Sequence, residues 1–179
     1  VFNQDISSWD TNSVVNMSYM FANTTAFDQC IIGNWTTSSV TDMSYMFSSS
    51  VSFNNGQDNN EEGKSNWYMA NNCKGMFADS EKFNRVLNGG GSGGCNWSNV
   101  TDMEDMFNGA KVFYNGASSG DSLANNFCNT DTVNINNVYP NGNDTARVNN
   151  MFKNSNMYNA YGNNGLTALN SPEKAWWFG

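Results

Sequence analysis

The chain of 179 residues is long enough for one domain with a substantial core, and 14% aromatic against 13% charged residues argues against disorder. A net charge of −8 argues against a nucleic-acid partner, because the phosphate backbone carries the same sign. The absence of histidine removes the usual general base and the commonest zinc ligand, so we predict no enzyme activity and no cofactor.

A recurring Met-Phe pair divides the chain into repeats. Each pair is followed six residues later by an aromatic residue, and Phe2 begins the same phase. This frame gives five units, residues 2–26, 27–52, 53–82, 83–112 and 113–157, and a C-terminal cap or contact tail over 158–179. Such small units cannot bury their apolar faces alone, so we predict that residues 1–179 form a single solenoid domain in which neighbouring units stack.

Two elements are predicted in each coil. A stretch such as "FNQDISSW", residues 2–9, predicts a short strand or extended segment with an aromatic residue at each end. In "VTDMSYMF", residues 40–47, the apolar residues are spaced as one face of a short helix. Ser39 and Asp42 have the spacing of its N-cap and N3 residues. Near copies at 14–21 and 100–107 predict the same helix in about five irregular coils.

Two sets of in-phase residues have a structural and a functional interpretation. Methionines that recur in phase with Phe and Val predict buried rungs, and metal binding or a pliable ligand surface is the less favoured alternative. The residue after each leading aromatic is polar, and we predict that it bonds to the backbone of a neighbouring coil. A ligand-binding row is the alternative for these four positions, which are Asn3, Asp28, Asn54 and Asn84.

The stretch "FNQDISSWDTNSVVNMSYMFANTTAF", residues 2–27, resembles the repeat of about 25 residues found in bacterial surface proteins and lipoproteins. That family is a relative of leucine-rich repeats that also occurs in microbial eukaryotes. The resemblance covers residues 2–53 and 95–113 best. It implies an α/β leucine-rich-repeat-like solenoid and an extracellular or cell-surface protein used in adhesion or surface structure, without catalytic residues.

Four cysteines without histidine favour disulfides over a zinc site, with three connectivities open. We predict pairing between neighbouring units, Cys30 with Cys73 and Cys95 with Cys128. Six N-x-Ser/Thr sites predict a glycoprotein, although composition alone would generate about as many. The three favoured acceptors are Asn23, Asn34 and Asn96, followed by Asn16 and Asn143, with Asn99 last because it fits a helix N-cap.

An acidic segment has the start of a calcium-binding loop. "DNNEEG", residues 58–63, offers Asp58, Asn60 and Glu62 before a glycine. Its twelfth position is Met69, where such a loop needs a bidentate glutamate. We therefore favour a solvated acidic insertion and predict no metal site.

The function predicted first is a structural module that assembles with further copies into a filament or surface layer. The chain begins at Val1, one residue before a repeat starts, so its ends should expose apolar rungs and unpaired backbone. The stacking would involve these ends and the inserted loops. The apolar tail adds a second contact surface, formed by Trp176, Trp177 and Phe178.

The alternative is an adhesin that binds a glycan or a host protein. Its stacking platforms would be Trp9, Trp35, Trp67 and Trp97, although tryptophans in regular phase favour a core role. An ice-binding surface is a third hypothesis, which the unequal spacings of 26, 30 and 45 residues between Phe anchors argue against. No apolar run is long enough to span a bilayer, so no membrane insertion is predicted.

Overall fold

A computed structural model describes residues 1–56, 67–85, 87, 100–113 and 150–155. These residues form turns and isolated bridges, and none of them lies in an α-helix or an extended β-strand. Parallel bridges join Asn16 to Asp42, Asp42 to Asn72, and Asn72 to Asp102. Because the four residues stand at one phase of the sequence repeat, the first four units lie side by side in a common register. The predicted tail and most of the fifth unit lie outside the described residues.

The predicted short helices are wrong for the described units. Each of the first four Met-Phe pairs lies in what we call a turn segment, residues 17–24, 43–50, 73–80 and 103–110. In the first, alternate N–H groups donate to the next repeat at 2.8–3.0 Å, those of Met17, Tyr19, Phe21 and Asn23. Between them, the N–H groups of Met20 and Ala22 bond to the carbonyl three residues back along the chain, and that of Ser18 bonds to Asn16 Oδ1. An α-helix would direct every one of these groups to the carbonyl four residues back, so stacking replaces the helical pattern.

Left-handed residues explain why the turn segments do not become helices. One precedes each Met-Phe pair, at Tyr19, Tyr45, Gly75, Asp105 and Asn150, with φ between 54° and 58°. Another follows two residues after each Phe, at Asn23, Ser49, Asp79, Gly109 and Asn154. A positive φ at the third residue of a turn closes a type II turn and interrupts a right-handed helix. Most of these positions hold residues other than glycine, so the sequence gives little sign of them.

The residues predicted to complete helix N-caps form Asx turns instead. Asp42 Oδ1 accepts a hydrogen bond from the Ser44 N–H at 2.8 Å, and Asp102 Oδ1 accepts one from the Glu104 N–H at 3.0 Å. Ser39, the predicted N-cap, donates its hydroxyl to the Asn12 carbonyl of the previous repeat at 2.9 Å. Asp and Asn side chains often bond the backbone two residues on, which here starts each turn segment.

Two columns of parallel aromatic rings form the core. The leading aromatics stack at centroid distances of 5.5–5.9 Å along Phe2, Phe27, Phe53, Phe83 and Phe113. The second column stacks at 5.4–5.6 Å along Phe21, Phe47, Phe77, Phe107 and Phe152. Rings of the two columns also touch each other where one unit meets the next, as Phe77 and Phe83 do at 3.9 Å. This packing confirms that in-phase Phe and Met build the interior, since Met43, Met46 and Met76 are also fully buried.

The polar row after the leading aromatics joins the repeats, as the sequence predicts. Asn3 Oδ1 accepts a hydrogen bond from the Asp28 N–H at 2.9 Å. Asp28 Oδ1 accepts from the Asn54 N–H at 2.8 Å, and Asn54 Oδ1 accepts from the Asn84 N–H at 2.9 Å. The predicted strand or extended segment is therefore irregular, and its neighbours are linked through side chains. The solenoid of the whole chain stays a prediction.

At Gly75, the addition of a single methyl group should disturb the contact between two neighbouring repeats. Its φ is +58°, and a Cβ added there would lie 2.3 Å from Cε1 of the Tyr45 ring. We expect Gly75→Ala to lower the free energy of unfolding by about 2 kcal/mol, through left-handed backbone strain and displacement of the ring. Urea unfolding measures this loss.

The double variant Gly75→Ala/Tyr45→Ala separates the two causes. Without the ring the added methyl group has space, so the two losses should sum to more than the double variant shows. Strictly additive losses would contradict the contact between Tyr45 and Gly75.

Candidate assembly interface

Exposed large apolar side chains of the described residues concentrate in the first repeat and beside it. They are Val1, Phe2, Trp9, Val15, Tyr19 and Met20, and Val112 is the single example elsewhere in the described part. Phe2 is 43% exposed and Met20 is 41% exposed, whereas their counterparts Phe27 and Met46 are fully buried. The first repeat thus leaves uncovered the positions that the second repeat buries.

These side chains are covered on one side by the second repeat. The Phe2 ring stacks on Phe27 at 5.5 Å, and the Tyr19 ring stacks on Tyr45 at 5.0 Å. Trp9 stacks on Trp35 at 6.1 Å with the planes 6° apart, yet remains 51% exposed. We call the outward surface formed by Phe2, Trp9, Tyr19 and Met20 the head face.

Backbone carbonyls add a polar edge to the head face. In the second repeat, the carbonyls of Asp42, Ser44, Met46 and Ser48 each accept a hydrogen bond from the first repeat. The equivalent carbonyls of the first repeat receive no hydrogen bond from any described residue, and they belong to Asn16, Ser18, Met20 and Ala22. The head face therefore combines apolar area with regularly spaced acceptors, which is the chemistry of an exposed sheet edge.

The sequence predicted open repeat ends, but it named only tail residues as contacts. Trp176, Trp177 and Phe178 lie outside the described residues. The head-face residues carry a signal that could have identified them, since each is an aromatic or Met in phase with a residue of the second repeat.

Two of the four predicted tryptophan platforms cannot stack on a glycan in this structure. Trp35 and Trp67 are fully buried, and Trp35 Nε1 donates a hydrogen bond to the Ile6 carbonyl at 2.9 Å. Trp9 has an accessible ring, as part of the head face. Trp97 lies outside the described residues.

A polar cleft of about 510 Å³ borders the second, third and fourth repeats, with Asp28, Asn54, Lys82 and Arg85 among its lining residues. Its polar groups already form hydrogen bonds between neighbouring repeats. Asp28 Oδ1 accepts hydrogen bonds from two backbone N–H groups, and Arg85 Nε donates to the Asn54 carbonyl at 2.6 Å. The cleft therefore offers weaker grounds for a binding function than the head face does.

Three predicted glycosylation sites lie in the described part, and all three are exposed. The Asn23 side chain makes no hydrogen bond to a described residue, whereas Asn34 Nδ2 donates to the Cys30 carbonyl at 2.8 Å. Asn16 Oδ1 accepts from the Ser18 N–H at 2.8 Å in an Asx turn. Glycosylation stays a prediction, and the remaining sites lie outside the described residues, namely Asn96, Asn99 and Asn143.

The two described cysteines lie in different parts of the repeat. Cys73 is buried at the core position that Met43 holds in the preceding repeat, and its Sγ lies 3.3 Å from the Ala70 carbonyl oxygen. Cys30 is half-buried, with Asn34 Nδ2 3.4 Å from its Sγ. The predicted disulfides stay a prediction, since the other pair, Cys95 and Cys128, lies outside the described residues.

The weak calcium motif also lies outside the described residues, with Asp58, Asn60 and Glu62. Among the residues that the structure describes, no group of three or more Cys, Asp or Glu is placed to hold a metal ion. No helix of the described part has the length and apolar character needed to cross a bilayer.

One ion pair crosses a repeat junction beside the tyrosine stack. Lys74 Nζ lies 2.5 Å from Glu104 Oε2, and this hydrogen bond raises the pKa of Lys74 above its usual value. Burial raises the pKa of Tyr45. Folding therefore favours protonated Lys74 and neutral Tyr45.

The two raised pKa values predict a loss of stability in alkali. The stabilisation is fully present below the ordinary values of 10.0 for Tyr and 10.5 for Lys, and it is lost as pH rises through the folded values. Since the ion pair is partly exposed, we expect less than about 1 kcal/mol from it. Thermal unfolding between about pH 8 and 11.5 should show the decline. Lys74→Met should make it shallower, and an unchanged slope in this variant would contradict a role for Lys74.

The family model described as "Mycoplasma protein of unknown function, DUF285" matches residues 1–89 and again residues 71–165. The chain belongs to this family. Two overlapping matches agree with the repeats of the sequence, so membership of a repeat family is confirmed. The match gives no support to the predicted relation to leucine-rich repeats, and the turn segments also lack the predicted helix. No curated protein and no solved structure matches the chain.

Membership of DUF285 leaves function to be argued from the molecule, because the family description assigns none. In this DUF285 chain, the two features from which a function can be argued are the stack of turn segments and the exposed head face.

Proposed function

We propose that this DUF285 chain is a structural repeat protein, a solenoid that associates with further copies of itself into a filament or surface layer. The observation that carries the proposal is the head face. Phe2, Trp9 and Met20 are exposed there, whereas their counterparts in the second repeat, Phe27, Trp35 and Met46, are fully buried. The four carbonyls correspond to those of the second repeat that accept hydrogen bonds from the first. An apolar surface next to unsatisfied backbone acceptors favours association with another repeat edge.

An extracellular or cell-surface location is part of the proposal. The resemblance of residues 2–53 to repeats of bacterial surface proteins supports it. The low charge content and the abundance of side-chain amides suit a structural role, since several of these side chains bond the backbone of a neighbouring repeat, among them Asn3, Asp28 and Asn54.

The direct test is the native mass and morphology of the purified chain across a concentration series. We expect light scattering to show mass that increases with concentration, and negative-stain microscopy to show ordered end-to-end particles. A monodisperse monomer at every concentration would overturn the proposal. In that case the adhesin alternative becomes the stronger hypothesis, and the Trp9 ring is the accessible platform to test against a glycan array.

A further inference from the structure

The turn segment of the fourth repeat contains an asparagine followed by a glycine, Asn108–Gly109, and such a pair can modify itself. In this reaction the glycine nitrogen bonds to the side-chain carbonyl carbon of the asparagine, and its proton leaves with the side-chain amide as ammonia. Water then opens the cyclic imide to aspartate or isoaspartate. Glycine favours the reaction because it has no side chain to hinder ring closure. The equivalent pairs of the first three repeats lack this chemistry, and they are Ala22–Asn23, Ser48–Ser49 and Ala78–Asp79.

The packing of the stack requires a glycine at position 109. Gly109 has a φ of +74°, and a Cβ added there would clash with Asp79 Oδ1 of the third repeat. Any other residue would combine left-handed strain with displacement of that carboxylate. The contact with the third repeat therefore keeps Asn108 next to the residue that makes it most reactive.

Two hydrogen bonds hold the reacting groups of the pair in the folded chain. The Gly109 N–H donates to the Lys153 carbonyl of the fifth repeat at 2.8 Å, and Asn108 Nδ2 donates to Asp105 Oδ1 at 2.9 Å. An amide proton in such a bond is exposed to base only when the structure opens locally, which is the basis of protection from hydrogen exchange. Because ring closure requires loss of the Gly109 proton, it requires the junction between the fourth and fifth repeats to open.

A second Asn–Gly pair of the described part, Asn55–Gly56, is held more firmly. Asn55 is only 2% exposed, and its side chain makes hydrogen bonds with both Ile31 and Ile32. The Gly56 N–H donates to Asp28 Oδ1 at 2.8 Å. The Asn108 side chain is half-buried and makes the single bond to Asp105, so it should react first of the two.

We propose that Asn108 is a site of spontaneous deamidation whose rate is controlled by the junction between the fourth and fifth repeats. While the Lys153 carbonyl holds the Gly109 N–H, residue 108 stays asparagine, and opening of the junction allows the imide to form. Either product places a second negative charge beside Asp105, and isoaspartate also adds one carbon to the backbone of the turn segment. The modified segment can no longer keep its hydrogen-bond register with the fifth repeat. The reaction needs only water and is independent of self-association.

The rate of deamidation in the folded and unfolded chain tests this control. The wild-type chain is kept in mildly alkaline buffer with and without urea, and peptide mapping by mass spectrometry follows Asn108 and Asn55. In urea the two residues should react at similar rates. In the folded chain Asn108 should react at least about tenfold more slowly than in urea, and Asn55 more slowly still. Equal rates for Asn108 in the folded and unfolded chain would overturn the proposal, as would faster reaction of Asn55 in the folded chain.

A variant that weakens the junction tests which contact controls the rate. Phe152→Ala removes the ring of the fifth repeat that stacks on Phe107 at 5.6 Å, and it should speed deamidation of Asn108 severalfold in the folded chain while leaving the rate in urea unchanged. The matched control is Phe2→Ala, which removes a ring stack of 5.5 Å at the first junction and should leave the Asn108 rate at its wild-type value. Circular dichroism establishes that each variant is folded. Equal acceleration by both variants would show general destabilisation and overturn control by this junction.

Hydrogen exchange of the wild-type chain gives the same test without a substitution. The Gly109 amide should be protected from exchange by a factor close to the slowing of Asn108 deamidation in the folded chain, because one opening event limits both reactions. An unprotected Gly109 amide would overturn the proposal.

Discussion

Phe77→Ala is expected to lower the free energy of unfolding by about 3–5 kcal/mol, through lost burial and the cavity that remains. Phe77 is fully buried at mid-stack and stacks on Phe47 at 5.4 Å, on Phe83 at 3.9 Å and on Phe107 at 5.5 Å. Its backbone also belongs to the turn segment that joins two repeats. Since a domain is stable by only about 5–15 kcal/mol, this one truncation removes a large share of the total.

The matched control for Phe77→Ala is Phe2→Ala in the neighbouring column. Phe2 is the same residue type, but it is 43% exposed and stacks on Phe27 alone of the leading column. Its loss should be about 1 kcal/mol. Urea unfolding followed by circular dichroism measures both variants. Equal losses at the two positions would contradict the ring columns as the source of stability.

Asn55→Ala is expected to cost about 3–5 kcal/mol, for polar reasons rather than packing. Asn55 is only 2% exposed, and its Oδ1 accepts hydrogen bonds from the N–H groups of Ile31 and Ile32 at 2.9 and 2.8 Å. Its Nδ2 also donates to the Ile32 carbonyl at 3.2 Å. Truncation leaves two buried backbone donors without their acceptor, each at a cost of about 1–3 kcal/mol.

The control variant Asn23→Ala separates the loss of the Asn55 hydrogen bonds from the strain of placing alanine in a left-handed conformation. Asn23 has a φ of 60°, close to the 56° of Asn55, but its side chain is exposed and bonds no described residue. It should lose only about 1 kcal/mol, the cost of left-handed alanine. Thermal unfolding of the two variants gives the comparison, and a similar loss in both would show that the Asn55 side chain adds nothing beyond its backbone conformation.

The sequence predicted which residues stack, because identical residues at one phase must meet when repeats lie in register. The buried positions of Phe47, Met46 and Phe77 follow from that pattern, as do the hydrogen bonds of Asn3, Asp28 and Asn54. Apolar spacing alone could not exclude a helix around Met43, Met46 and Phe47. A helix and a chain of turns both place these residues on one side, and the difference lies in where alternate N–H groups donate.

The head face was only partly predictable for a related reason. A row of in-phase residues shows which side chains are interior, but the first member of a row is the same type of residue as the members that follow it. Met20 and Met46 occupy equivalent positions, and their exposures of 41% and 0% differ only because the second has an earlier neighbour. Exposure at the end of a row is a property of the stack, so it required coordinates.

The peptide groups that join neighbouring turn segments share one orientation, with their C=O groups directed toward the first repeat, and this has an electrostatic consequence. Each peptide carries a dipole of about 3.5 D, and dipoles aligned head to tail add, as they do in an α-helix. Fewer backbone bonds run the other way, so most of the alignment survives. There is one at each of the first two junctions, as from Thr41 N–H to the Val15 carbonyl, and there are two at the third. The stack therefore carries a net dipole whose negative pole lies at the carbonyls of the first repeat. Cations should be attracted to that pole, and a carboxylate placed there should be repelled even in a chain that does not assemble.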